Sequence, residues 1–153
     1  MNITSAPKTP VGLLRVLAAQ LYDLLLVFGL WICATAVAVG ALVLLTGGES
    51  FSTTNPLAGS PWFRLYLLLV TMAFFVGFWS TGGQTLGMRA WRIRLCRRTG
   101  GAVSPPRALL RFATAGLSWL ALGLGYLWML LDREGLSWHD RLSGTCLEYH
   151  HRR

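Results

Sequence analysis

Asp23 is a carboxylate inside an apolar run, Leu21 to Leu45, eight residues after Arg15. An ionised acid in hydrocarbon must be solvated, paired, protonated or put to use. Eight residues on a helix rise about 12 Å and rotate about 80°, so Arg15 and Asp23 make no direct ion pair. Arg15 is expected to snorkel to phosphate. Partners for Asp23 are then Gln20, one turn back, or Arg107, Arg111 and the stretch His139-Asp140-Arg141, brought across from other segments. A static buried pair is the expected arrangement, because arginines are plentiful. A cation or proton site is the functional alternative.

Other residues with chemical potential form weaker sets. His139 beside Asp140 has the composition of a general base and its orienting carboxylate, but adjacent side chains rarely aim at one point and no nucleophile motif accompanies them. Gly82-Gly83-Gln84-Thr85-Leu86-Gly87-Met88-Arg89 is glycine-rich, yet Met88-Arg89 stands where a phosphate loop needs Lys and then Ser or Thr. It reads as a turn at the end of a membrane helix. Gly83 and Gly87 also have small-xxx-small spacing, which at a helix end is a weak sign of association. His150 and His151 sit in a terminal basic cluster with no further ligands for a metal. Cys33, Cys96 and Cys146 are odd in number and widely spaced, so no disulfide framework or zinc site follows from them. No cofactor and no catalytic residue is expected.

The elements that must carry these residues are membrane helices. An apolar fraction of 54% with 13% charged residues lies outside the soluble range. Three segments approach the roughly 20 apolar residues that cross a bilayer core: about 14–45, 62–80 and 108–131. Residues 1–10 read as a disordered tail, 11–147 as one membrane domain and 148–153 as a basic C-terminal tail. The first segment is too long for a signal peptide and runs past Ala34-Thr35-Ala36, so it is expected to remain as a helix. Ala34, Ala36, Ala38 and Gly40 line it with small residues, read as ordinary packing. Ser60-Pro61 supplies an N-cap and first turn for the second segment, with Trp62, Tyr66 and Trp79 as interfacial anchors.

Net charge is +8, and seven arginines, Arg89, Arg92, Arg94, Arg97, Arg98, Arg107 and Arg111, lie between the second and third segments with no acid among them. The positive-inside rule accounts for this cluster without nucleic acid. It places the 89–111 loop and the N-terminus in the cytoplasm, with anionic lipid headgroups as the loop's partner, and the Thr46–Ser60 connection with Glu49 outside. Within the loop, Ile93 and Leu95 alternate with Arg92 and Arg94, the period of a strand. Trp91 joins the apolar face. Thr99-Gly100-Gly101 then forms a turn, and Ala102-Val103 can return as a partner strand. Such a ribbon alone is marginal and needs the membrane surface or the C-terminal tail for support. The third segment is interrupted by Gly116, Gly123 and Gly125. A simple crossing would put Arg133, Arg141, Arg152 and Arg153 outside, against the same rule. A broken or re-entrant segment, bent at Gly123 or Gly125, resolves the conflict.

Three stretches together resemble the RDD family of small bacterial membrane proteins, named for an arginine and two aspartates. They are Arg15-Val16-Leu17-Ala18-Ala19-Gln20-Leu21-Tyr22-Asp23, then Gly83-Gln84-Thr85-Leu86-Gly87-Met88-Arg89, and Trp138-His139-Asp140-Arg141-Leu142-Ser143-Gly144-Thr145. The resemblance covers about Val11 to Leu147. It makes Arg15 and Asp23 the family's arginine and first aspartate, and Asp140 the second, with Asp132 as fallback. This chain departs from the pattern at Val16, where relatives often carry a second basic residue, and at Met88, where they often carry lysine. The resemblance implies a multi-pass inner-membrane protein, for some relatives with cation- or proton-coupled transport and for others an accessory or scaffolding role.

The expected architecture is an all-α membrane protein of about three apolar helical segments with a short basic β-ribbon. The expected function is that of a non-enzymatic, transport-related or accessory subunit, alone as a homo-oligomer or with a membrane partner. In the transport version Asp23 binds a proton or cation, and Asp140 with His139 forms a cytoplasmic mouth, His139 charging near neutral pH. A lipid-modifying enzyme resting on His139 and Asp140 ranks last.

Overall fold

The computed structural model describes residues 11–47 and 56–150. The expected tail at 1–10, the part of the outer connection that holds Glu49, and residues 151–153 lie outside the described residues. Helix α1 runs Leu13–Thr46 and helix α2 Pro61–Thr81, and both are long and apolar enough to cross a membrane. At 34 residues, α1 is about 50 Å long, well beyond a hydrocarbon core of roughly 30 Å. Gly47, at φ 64°, follows its end. Ser60 opens α2 by accepting from Phe63 N at 3.4 Å, with Pro61 at the first helical position. Large apolar side chains such as Leu25, Phe28, Val37 and Leu44 on α1 are exposed. A bilayer is the environment in which that surface costs nothing to present.

The chain forms two compact units, one spanning Leu24–Phe74 and the other containing the rest of the described residues. In the first, Trp31 Nε1 donates to Thr71 Oγ1 at 2.8 Å and the Tyr66 hydroxyl donates to the Ala34 carbonyl at 3.3 Å. Ala34 is buried and Ala38 half-buried, whereas Ala36 and Gly40 are exposed, so only part of the small-residue stripe takes part in packing.

The second unit holds α3 (Leu86–Ala90), β1 (Ile93–Arg97), α4 (Pro105–Leu120), α5 (Leu124–Leu127) with a 3₁₀ turn at Trp128–Leu130, α6 (Trp138–Ser143) and β2 (Thr145–Tyr149). Strands β1 and β2 pair antiparallel, Ile93 opposite Tyr149, Leu95 opposite Leu147 and Cys96 opposite Cys146. Strand β1 and its alternation match the sequence reading, with Ile93 and Leu95 each 1% exposed and Arg94 outward. Trp91 instead sits in the turn before the strand and is exposed. The partner strand also differs. Ala102-Val103 offers only two residues before Ser104, the N-cap of α4, and the donor-less prolines 105 and 106, and Val103 turns into the core. The C-terminal segment supplies a full five-residue register, so Glu148 and Tyr149 belong to the sheet rather than to a tail.

The third apolar segment is broken, α4 and the α5 region meeting at 104°. Gly123 sits at the break with φ 80°, beside Leu122 at φ 53°, a conformation that is costly for a residue with a Cβ. Helix α4 is inverted relative to a helix in a soluble protein. Ala108, Arg111, Thr114 and Ser118, at helical spacing, are buried, while Leu109, Leu110, Leu117 and Leu120 are exposed. The unit's core gathers Val11, Val16 and Ala19 of the chain's first turns with Met88, Ile93, Leu95, Val103, Tyr126 and Met129. Trp62 is exposed, as an interfacial anchor would be, but Trp79 is buried against Phe75.

Candidate functional site

Asp23 is 3% exposed, and its carboxylate is occupied. Thr85 Oγ1 donates to Oδ2 at 2.5 Å and the Gly87 backbone N–H donates to Oδ1 at 2.9 Å. Thr85 is the N-cap of α3, its hydroxyl also accepting from Met88 N at 3.2 Å. A carboxylate on the long helix therefore completes the capping of a short one, taking a donor that has no intrahelical acceptor. None of the expected partners, Gln20, Arg107, Arg111 or the 139–141 stretch, bonds to it. Gln20 Nε2 donates to the Tyr126 hydroxyl. Among the described residues no arginine or lysine lies within ion-pair distance of Asp23.

The glycine-rich turn becomes legible around this contact. A Cβ at Gly87 would collide with the Ala19 carbonyl oxygen and lie 2.8 Å from the Asp23 carboxylate. Gly87 is thus the residue that lets α3 lie against α1. Gly83 has φ 68°, and a Cβ there would stand 2.6 Å from the Leu95 carbonyl; its own carbonyl accepts from Leu95 N at 2.7 Å. Gln84 Nε2 donates to the Ile93 carbonyl at 2.7 Å. Gly83 and Gln84 fasten the turn to β1, while Thr85 and Gly87 fasten it to α1.

Asp140 builds the second buried centre. Its Oδ2 accepts from Ser137 N at 3.0 Å and from the Ser137 hydroxyl, and Ser137 Oγ accepts from Asp140 N, a reciprocal capping box that starts α6. Its Oδ1 pairs with Arg111 Nη1, and both side chains are almost wholly buried. Arg111 Nη1 also donates to Thr145 Oγ1 at 2.7 Å, and the guanidinium lies 5.4 Å over the Trp79 ring. Burial alone would raise the Asp140 carboxyl, but the Arg111 charge and the Ser137 hydrogen bond outweigh it and hold the group below the usual carboxylate range. The His139 ring packs against Tyr126, tilted by 57° with centroids 4.6 Å apart, and its Nδ1 has no hydrogen-bond partner among the described residues. Burial first, then the Arg111 charge, push it down to about 3. The expected charging of His139 near neutral pH does not occur, because an imidazolium there would be desolvated beside a guanidinium. His139 and Asp140 are 2% and 1% exposed, so they form no open mouth.

The remaining predicted residues fall into place around these centres. Arg15 lies 4.8 Å over the Tyr149 ring and meets neither aspartate. Arg141 is surface-exposed and binds Asp132 through Nε at 3.0 Å and Nη2 at 2.5 Å. Asp132 lies below the usual carboxylate range, through the hydrogen bond from Leu136 N and those from Arg141. Gly144 ends α6 at φ 66°, where a Cβ would be 2.9 Å from Arg107 Nη1. Arg89 lines a separate concavity with Gln84, Arg92 and His150.

The model of the RDD family matches residues 10–144, a stretch that contains Arg15, Asp23 and Asp140. The chain belongs to the RDD family. No match was found among curated proteins, and none among solved structures. In this RDD protein the arginine and the two aspartates do not form one cluster. Each aspartate instead caps a short helix of the unit that carries β1 and β2.

Sequence reasoning missed Thr85 and Gly87 as the partners of Asp23, and Arg111 as the partner of Asp140. Helical spacing of Ala108, Arg111, Thr114 and Ser118 was the available signal for the last, since it puts Arg111 on the one polar face of α4. Ser137, three residues before Asp140, was a readable capping box. Cys96 and Cys146, far apart in sequence, face each other across the sheet with Sγ atoms 3.1 Å apart.

Proposed function

We propose that this RDD protein is a non-enzymatic accessory or scaffold protein of the bacterial inner membrane, in which Asp23 and Asp140 are structural locks. The observation that carries this reading is that both oxygens of each buried carboxylate accept hydrogen bonds from donors within the fold. Asp23 holds a hydroxyl and a backbone N–H; Asp140 holds a capping box and a guanidinium. The neutral, buried His139 supports the non-enzymatic reading, because a base poised for catalysis needs a pKa near the working pH.

In this reading α1 and α2 cross the bilayer, and the basic loop, by the positive-inside rule, is cytoplasmic and meets anionic lipid headgroups. The pairing of β1 with β2 supports a C-terminus on the same side as that loop, and the Arg15–Tyr149 contact supports the N-terminus there too. The bent α4–α5 segment then enters the membrane and returns. A two-span chain of this size supports function within a homo-oligomer or beside a membrane partner.

One observation favours transport as a second reading. Asp23 meets only neutral donors, so its charge is not balanced by a neighbouring cation and is free to titrate or bind one. Purified protein reconstituted into vesicles separates the two. The lock expects no proton or cation flux above empty vesicles and a lowered melting temperature for Asp23→Asn. Wild-type flux that Asp23→Asn abolishes, with melting unchanged, would establish transport instead.

A further inference from the structure

Gln84, Arg89, Arg92 and His150 line a concavity of about 380 Å³, within the size range of small-molecule sites. Two arginines and a histidine line it, and among the described residues no carboxylate does. Among the described residues neither Arg89 nor Arg92 has an ion-pair partner, although Arg98, Arg111 and Arg141 of the same unit all have one. Unpaired cations gathered in one depression repel each other and raise the local potential for an anion.

The chain also accepts strain to build this arrangement. Arg92 has φ 55°, the left-handed region that a glycine occupies at little cost. Its carbonyl accepts from His150 N at 2.8 Å, which ties the last described residue to the pocket. Gln84 is held from below by its bond to the Ile93 carbonyl, leaving a second amide N–H and the amide oxygen unassigned. Arg89 lies in the last turn of α3, eight residues after the end of α2, one of the two helices long and apolar enough to cross a membrane.

We propose that Arg89, Arg92, His150 and Gln84 form a binding site for a phosphate group. Paired guanidinium groups offer the forked donors that match phosphate oxygens, and the imidazole and amide add single donors. The same chemistry is presented by a phospholipid headgroup and by a free phosphate. Proximity to the end of α2 favours the lipid. That source rests on the lipid contact proposed above, whereas the phosphate chemistry does not.

The test uses the full chain in neutral detergent and in nanodiscs. Inorganic phosphate is titrated against chloride at matched ionic strength, with melting temperature as the readout. Retention of phosphatidylglycerol against phosphatidylcholine is read by native mass spectrometry. Both phosphate stabilisation and preferential retention of phosphatidylglycerol are expected, each falling about tenfold or more in Arg89→Gln/Arg92→Gln, which loses two charge-assisted donors. Arg92→Gly keeps the backbone geometry and relieves its strain, so it should bind less while melting at or above the wild-type temperature. Stabilisation by phosphate without lipid preference supports the site and overturns the lipid as its source. Equal binding by wild type and both variants, or no response to either ligand, overturns the site.

Discussion

Replacing Gly87 by alanine tests the Asp23 lock at its tightest point. The added Cβ has nowhere to go, because the atoms it meets are the Ala19 carbonyl of α1 and the buried Asp23 carboxylate, neither at the end of a flexible chain. Forcing a methyl into a packed contact costs about 1–3 kcal/mol. Moving α3 away to make room stretches the 2.9 Å bond from Gly87 N to Asp23, and a hydrogen bond to a charged group contributes about 1.5–3 kcal/mol. The sum, about 2.5–6 kcal/mol, is a large part of the 5–15 kcal/mol that ordinarily holds a domain of roughly this size together. At about 2–4 °C per kcal/mol, Gly87→Ala should melt about 5–24 °C below wild type in detergent. Gly77→Ala is the control, since a Cβ there meets nothing within 4 Å and a helical glycine-to-alanine change is neutral or stabilising by about 0.5–1 kcal/mol. Gly87→Ala melting together with Gly77→Ala would refute the close approach of α3 to α1.

Asp140→Asn should leave Arg111 buried without its counter-charge, at about 3–5 kcal/mol, and lower both melting temperature and cellular abundance; Arg141→Gln, on the exposed pair with Asp132, should melt near wild type. The depressed His139 means that the unfolded chain takes up a proton between pH 6.5 and about 3 that the folded chain refuses. Stability is therefore complete above pH 6.5 and declines with acid, by up to about 1.4 kcal/mol per pH unit. His139→Phe should flatten that slope in unfolding measurements between pH 4.5 and 6.5, above the window in which the lowered Asp140 contributes in the same direction; identical slopes would count against a neutral His139. For topology, a thiol reagent that does not cross membranes, used on Thr99→Cys in a Cys33→Ser background, should find Thr99→Cys on the same side as a C-terminal tag. Labelling from opposite sides would require the third segment to cross fully.

How much could be read in advance depended on whether a signal was local. Strand β1 was readable because alternation of Ile93 and Leu95 with arginines is a short-range pattern. The break at Gly123 was readable because a glycine interrupts an apolar run and the basic tail argues against a full crossing. Asp23 stood out as a carboxylate among apolar residues, but its partners could not, since a threonine hydroxyl and a glycine N–H 62 and 64 residues away carry no charge to look for. An arginine partner is what charge alone predicts for Asp23, whereas the buried arginine, Arg111, pairs with Asp140. Strand β2 was hidden because Thr145–Tyr149 lacks a strong alternation and acquires its register only from β1.

The order of synthesis gives the Asp23 contact a further meaning. Asp23 leaves the ribosome more than sixty residues before Thr85 and Gly87 exist, and β1 is made fifty residues before the segment that pairs with it. The first helix must therefore be delivered to the bilayer with its acid uncapped, and β1 must wait unpaired until Thr145–Tyr149 emerges. The native arrangement is closed by the later-made strand β2, which makes a chain truncated before Thr145 an unfinished substrate for quality control rather than a smaller version of the protein.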